Sequence, residues 1–119
     1  MRTHTVYPDY LACPMRQVIS RFGDRWSLLV LYSIYSGQNG TLRYRDIKSA
    51  MQDCSPQMLS ATLKNLERID LISRMAYPEV PPRVEYSLTE RGKSLMPNVL
   101  SLMEWAKQNF DIASVKITG

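Results

Sequence analysis

The side chains of this 119-residue chain with most to offer chemically are two thiols, one imidazole and a scatter of basic and amide groups. Cys13 stands directly before Pro14 in "CPMRQVISRFG", and proline favours the first position of a helix. Cys13 therefore falls at an N-cap, where unpaired backbone N–H groups and the helix dipole favour the nucleophilic thiolate. A small cysteine that packs and reacts with nothing would suit the same place, so both readings stay open. Cys54, in "QDCS", is a second thiol that could pair with Cys13 across a dimer if their Cα atoms came within about 7 Å. His4 is the only histidine, so neither a histidine metal cluster nor a Cys-His catalytic pair is readily assembled. The cysteines are too far apart for a zinc ribbon, and the glycines do not have phosphate-loop spacing. The expectation is a protein with no catalytic residues, no metal and no cofactor, and therefore not an enzyme.

The polar groups are better organised. In "SPQMLSATLKNLERI", Leu59, Thr62 or Leu63, Leu66 and Ile69 recur at helical steps, while Gln57, Ser60, Ala61, Lys64 and Arg68 fall on the other side. Ser55 and Pro56 suit an N-cap and first turn, so the helix should run from Pro56 to about Ile69. Its outer face is small, polar and basic, as a helix in the DNA major groove requires. Ser55, Gln57, Met58, Ser60 and Lys64 lie at its start or on that face, and Gln57 has the paired donor and acceptor that suits adenine. A solvated surface helix would show the same pattern, and the neighbouring elements decide between the two.

Tyr44, Ile47, Ala50 and Met51 mark a short amphipathic helix ahead of this one, separated by a turn of about four residues, which is a helix-turn-helix arrangement. Arg43 and Arg45 stand at its start, placed for phosphate or minor-groove contact. Further upstream, "DRWSLLVLYSIYSG" is apolar on nearly every side, with Asp24 to cap it and Gly37 to stop it, and should be the central buried helix. Downstream, "LISRMAY" and "RVEYSLT" read as two strands, with Val84, Tyr86 and Leu88 alternating with Arg83, Glu85 and Ser87. Their connection, "PEVPP", is stiffened by prolines that also blunt the edge against pairing. Arg83 begins the return strand, where a guanidinium could meet a phosphate ridge or the minor groove. A hairpin directly after a helix-turn-helix is a wing.

The two ends read as dimerisation helices. From Thr89 to Phe110, Leu95, Val99, Leu102 or Met103, Ala106 and Phe110 form a stripe that a partner should cover. Pro97 should bend or restart this helix near Met96. Helix one, through Val18 and Phe22, should join the same interface and hold two recognition helices about one DNA turn, ~34 Å, apart. Tyr32, Tyr35 and the seven methionines could line an aromatic ligand pocket but are more often core, and they name no small-molecule effector.

At 45% hydrophobic and 22% charged residues, the chain has the composition of one globular domain. The expected layout is a flexible arm over 1–12, a winged helix-turn-helix with dimerisation helices over 13–110, and a tail over 111–119. The class is α+β, mainly α, with a two-stranded wing. No run approaches the ~18 apolar residues of a membrane span, and "MRTHTVYPDY" lacks a signal-peptide core, which places the protein in the cytoplasm without a membrane partner. The net charge of +4 favours polyanions but is shared equally between residues 41–93 and the rest.

The stretches "CPMRQVISRFGDRWSLLVL", "RYRDIKSAM", "SPQMLSATLKNLERIDLISRMAYPEVPPRVEYSLTERGKSL" and "MPNVLSLMEWA" together resemble the HxlR-type family of winged helix-turn-helix bacterial transcription regulators, from Cys13 to about Ala106. Cys13-Pro14, Gly23 followed by Trp26, and Trp105 occupy matching places, and "YPEVPPRVEYSLTERG" is close to a family signature. The resemblance implies a homodimer that binds double-stranded, pseudo-palindromic operator DNA as repressor or activator. It also permits Cys13 the sensing of electrophiles or oxidants that the matching cysteine performs in some members. The alternative is a winged-helix module that binds protein instead of DNA.

Overall fold

The computed structural model describes residues 12–110. Most of the expected arm at 1–12, including His4, and the tail at 111–119 lie outside the described residues. Among the described residues five α-helices and three strands follow the order α1 (Pro14–Phe22), α2 (Ser27–Tyr35), β1 (Thr41–Arg43), α3 (Tyr44–Ala50), α4 (Pro56–Arg68), β2 (Ile72–Tyr77), β3 (Arg83–Leu88) and α5 (Glu90–Asn109), with a 3-10 turn at Gln38–Gly40 before β1. The two-stranded wing β2–β3 is joined by β1 to give an antiparallel sheet in the order β1-β3-β2. Three residues are too short a run to display the alternation by which strands are recognised, and β1 is set by its pairing. Thr41 lies opposite Ser87 and Arg43 opposite Glu85, and the Thr41 and Ser87 hydroxyls are 2.7 Å apart.

The core forms around α2. Val30, Leu31 and Ile34 are fully buried, and α2 packs against α3, α4, α5, β1 and β3. Ile47 from α3, Leu59, Leu63 and Leu66 from α4, Ile72, Tyr86 and Leu88 from the sheet, and Met96 and Val99 from α5 complete the cluster. Each large aliphatic side chain withdrawn from water contributes roughly 1.5–3 kcal/mol. Tyr32 and Tyr35, by contrast, are exposed and not core; their rings lie 6.4 Å apart.

Asp24 anchors the start of α2 from two residues before its formal cap. Its carboxylate accepts the backbone N–H groups of Trp26 at 3.1 Å and Ser27 at 3.2 Å, and also the Ser27 hydroxyl. Partial burial by itself would raise this carboxyl. The hydrogen bonds from the Ser27 hydroxyl and from the backbone outweigh that effect and leave it below its ordinary value.

The start of α5 is fastened more firmly. Thr89 accepts the Gly92 N–H at 3.0 Å through Oγ1, which also donates to the Asp70 carbonyl, while the Thr89 N–H reaches the Leu71 carbonyl at 3.1 Å. A Cβ on Gly92 would stand 2.2 Å from that Leu71 oxygen, so only glycine permits this approach. α5 continues through Pro97 as one helix, so it does not restart there. Pro97 is exposed, so water can serve the carbonyl that its missing N–H leaves free. Val99, expected at a dimer interface, is instead buried in the protomer's own core, because α2 and the sheet already cover that side of α5.

Asp24→Ala is expected to lower the unfolding free energy by about 1 kcal/mol near neutrality. Because the folded carboxyl lies below its ordinary value, its contribution is complete above the ordinary carboxylate range and is lost as pH falls through the folded value. Urea unfolding at neutral and acid pH checks this; equal midpoints for parent and variant at neutral pH would refute the anchor.

Candidate nucleic-acid interface

Helix α3, the turn at 51–55 and helix α4 form the helix-turn-helix. The turn is closed by hydrogen bonds from the Met51 N–H to the Ile47 and Lys48 carbonyls and from the Cys54 N–H to the Met51 carbonyl. The Ser55 hydroxyl then caps α4 by accepting the Met58 N–H at 3.1 Å. Met51 and Cys54 turn inward, and Leu59, Thr62, Leu63 and Leu66 bury the inner face of α4. Ser55, Gln57, Met58, Ser60 and Lys64 are all exposed at its start or along its outer side. All five are therefore open to solvent at the N-cap of α4 or along the helix. Ser55 serves α4 through its cap as well as its position.

A second group of charges lies beside α3. Arg43 ends β1 and is the N-cap of α3, and Arg45 is exposed in the first turn. Both line a notch of about 500 Å³ whose opposite wall is the wing tip, Glu79 to Val84. Among the described residues the ion pairs are Arg83–Glu79, Arg83–Glu85, Lys93–Glu90 and Lys107–Glu104. Arg43, Arg45 and Lys64 thus form no ion pair with a carboxylate among the described residues.

Arg83 is differently situated from the free wing arginine that its position suggests. Its Nη2 is 3.2 Å from Glu79 Oε2, and its Nε is 3.5 Å from Glu85 Oε2, an ion-pair distance without hydrogen-bond geometry. Its guanidinium carbon lies 4.1 Å from the centroid of the Tyr77 ring. Tyr77, Glu79 and Glu85 lie within the proline-rich signature tract, but nothing in the sequence pairs them with Arg83; Tyr77 and Arg83 meet because the hairpin register sets them opposite each other. Val80, at the tip, is fully exposed.

Another contact absent from any sequence pattern links α4 to α1. Asn65 on α4 donates through Nδ2 to the Arg21 carbonyl at 2.8 Å and accepts from Arg68. α1 has no buried residue of its own, so this bond and the partly packed Phe22 hold it to the domain.

Of the residues expected to meet a partner subunit, Val18, Leu102 and Phe110 are exposed, while Phe22, Leu95, Met103 and Ala106 are half-buried. Met15, Ile19 and Trp105 extend the exposed apolar surface, with Trp105 and Phe110 edge to face at 5.7 Å. Cys13 is the half-buried N-cap of α1, and its side chain makes no capping hydrogen bond. Cys54 is buried, and desolvation, assisted by the neighbouring Asp53 carboxylate, pushes its thiol up. The thiolate at Cys54 is therefore disfavoured, and the turn must uncover it before it can pair. Among the described residues no group of three metal-ligating side chains comes together, and no helix is long and apolar enough to cross a membrane.

Comparison with known proteins gives the same arrangement a context. Residues 21–114 match the model of the HxlR-like helix-turn-helix proteins. The chain is 41% identical over 99 residues to an HTH-type transcriptional regulator of Methanothermobacter thermautotrophicus, covering 83% of this chain and 73% of that one. Its fold is similar to that of a Porphyromonas gingivalis W83 protein assigned to the MarR family of transcriptional regulators, with a TM-score of 0.79, 35% identity and coverage of 89% and 100%. It is also similar to the redox regulator HypR in its oxidised form, with a TM-score of 0.75, 33% identity and coverage of 84% and 100%.

Proposed function

We propose, since this chain belongs to the HxlR-like helix-turn-helix family, that its exposed α4 face reads an operator in the major groove. The protein is a DNA-binding transcriptional regulator with a winged helix-turn-helix fold. The observation that carries the finer reading is the contrast on α4, whose apolar side is buried in the domain while Gln57, Ser60 and Lys64 stand out from it. Gln57 reads adenine through its paired donor and acceptor. Ser55, Met58 and Ser60 fill the groove around it, Lys64 meets a phosphate, and Arg43 and Arg45 hold the neighbouring backbone. The wing, which begins its return at Arg83, lies along the adjacent groove. In this reading residues 13–110 are the working domain, acting by binding and not by catalysis, in the cytoplasm beside the DNA.

Two further elements belong to the proposal. The exposed apolar residues of α1 and α5, with Trp105 and Phe110 among them, support a homodimer that buries them and presents two α4 helices to a pseudo-palindromic site. The half-buried thiol of Cys13 at the start of α1, together with the likeness to a redox regulator, supports control by oxidants or electrophiles. Modification there displaces α1, which so few contacts hold, and with it the spacing of the two α4 helices.

Binding to an operator selected from random duplexes tests the surface. Lys64→Ala is expected to weaken binding by about 1 kcal/mol for every sequence and to reduce the slope of log K against log salt by about one. Gln57→Ala should relax discrimination at one adenine by about 1–3 kcal/mol. Parent-like affinity and specificity in both variants would discard the α4 reading. For the dimer, Leu102→Glu should sediment as a monomer at micromolar concentrations where the parent is a dimer, and a monomeric parent would end that part of the proposal. For the thiol, Cys13→Ser should hold its operator through diamide treatment that releases the parent; a parent whose binding ignores diamide while Cys13 is demonstrably oxidised excludes the sensor.

A further inference from the structure

Arg83 is the first residue of β3, at the point where the chain leaves the proline-rich wing tip. Three groups hold its guanidinium, and they come from three parts of the wing. Tyr77 is the last residue of β2, Glu79 belongs to the connecting loop, and Glu85 lies further along β3. A planar guanidinium is suited to this, since it can lie against a ring while its forked donors face carboxylates in different directions. The loop has little else to hold it. Its one backbone hydrogen bond to a flanking strand is from the Glu79 N–H to the Tyr77 carbonyl at 2.8 Å, and Val80 touches nothing that covers it.

The charges at this place also argue against a phosphate contact. One guanidinium set against two carboxylates leaves the cluster with a net charge of −1, and Arg83 retains only 28% of its side-chain exposure. A DNA phosphate brought to Arg83 would have to displace Glu79 or Glu85 and then lie beside it. Across the notch, Arg43 and Arg45 have no carboxylate in ion-pair contact among the described residues, so a phosphate entering there meets positive charge that no described carboxylate pairs. Glu85 stands opposite Arg43 in the sheet register, which leaves Arg45 as the freer of the two.

We propose that Arg83 is a positioning residue of the DNA interface: it fixes the wing loop over residues 78–82, while phosphate contact on this side belongs to Arg43 and Arg45. The proposal rests on the DNA-binding reading, and it separates shape from charge within it. A wing held in one geometry is ready to meet the groove without ordering its loop at the moment of binding, which would otherwise reduce affinity.

The test compares the full-length parent with Arg83→Ala, Arg83→Lys, Arg43→Ala and Arg45→Ala on the selected operator duplex across a salt series. Amide hydrogen exchange over 78–82 is measured alongside. Arg83→Ala should bind several-fold more weakly with the salt slope unchanged, and exchange in the loop should rise. Arg83→Lys keeps the charge but cannot form the flat, forked arrangement, so it should show the same loss; it also serves if the alanine variant does not fold. Arg43→Ala and Arg45→Ala should each lower the slope by about one. Parent-like binding by Arg83→Lys, or a slope lowered by about one in Arg83→Ala, would make Arg83 a direct phosphate contact and overturn the proposal. Parent-like binding by Arg83→Ala would overturn it as well. A parent with no salt-dependent duplex binding defeats the DNA-binding reading itself, and that is seen before any variant is compared.

Discussion

The buried side of α2 is the constraint on which the remaining elements depend. Val30, Leu31 and Ile34 are withdrawn completely from water, and α3, α4, α5, β1 and β3 each pack against this helix. Their orientations relative to one another are thereby set by a common neighbour. The outer face of α4 is exposed because its inner leucines are committed to this core, and the wing stands beside it because Tyr86 and Leu88 are committed there too. An exposed helical face made of short polar side chains has no cohesion of its own. It inherits its geometry from the apolar packing beneath, where displacement of one close-packed element strains the others.

Polar anchoring completes what packing leaves undetermined at the ends of the elements. Asp24, Ser55 and Thr89 each accept backbone N–H groups at a helix start, and Gly92 lets α5 lie against the Leu71 carbonyl. In the wing the same task falls to charged and aromatic side chains, since a five-residue connection rich in proline has few backbone donors to offer. The result is a division of labour among the arginines. Arg83 is ion-paired within the wing, whereas Arg43 and Arg45 at the start of α3 form no ion pair among the described residues.

α1 stands apart from this economy of contacts. It buries no residue and is tied to α4 by the hydrogen bond from Asn65 to the Arg21 carbonyl. An element held so lightly within its own protomer can respond to events at its N-terminus without disturbing the core, which has a physical basis in the low local stability of segments with few buried contacts.

Much of this was legible in the residues themselves. Pro14 and Gly23 bounded α1, Ser55 and Pro56 opened α4, and the three- and four-residue spacing of Leu59, Leu63 and Leu66 assigned its inner and outer faces, because caps and helical periodicity are local properties of a chain. The wing strands were legible for the same reason, in the alternation of Val84, Tyr86 and Leu88. What remained for the tertiary structure were matters of partnership between distant segments. β1 exists because Ser87 and Glu85 pair with Thr41 and Arg43. Val99 belongs to the protomer's core, and not to an outer stripe, because α2 and the sheet reach it first. Arg83 is engaged because register brings Tyr77 opposite it and the loop returns Glu79 to its side. Sequence spacing specifies which side of an element a residue occupies, whereas the identity of what lies against that side is decided only when the elements pack.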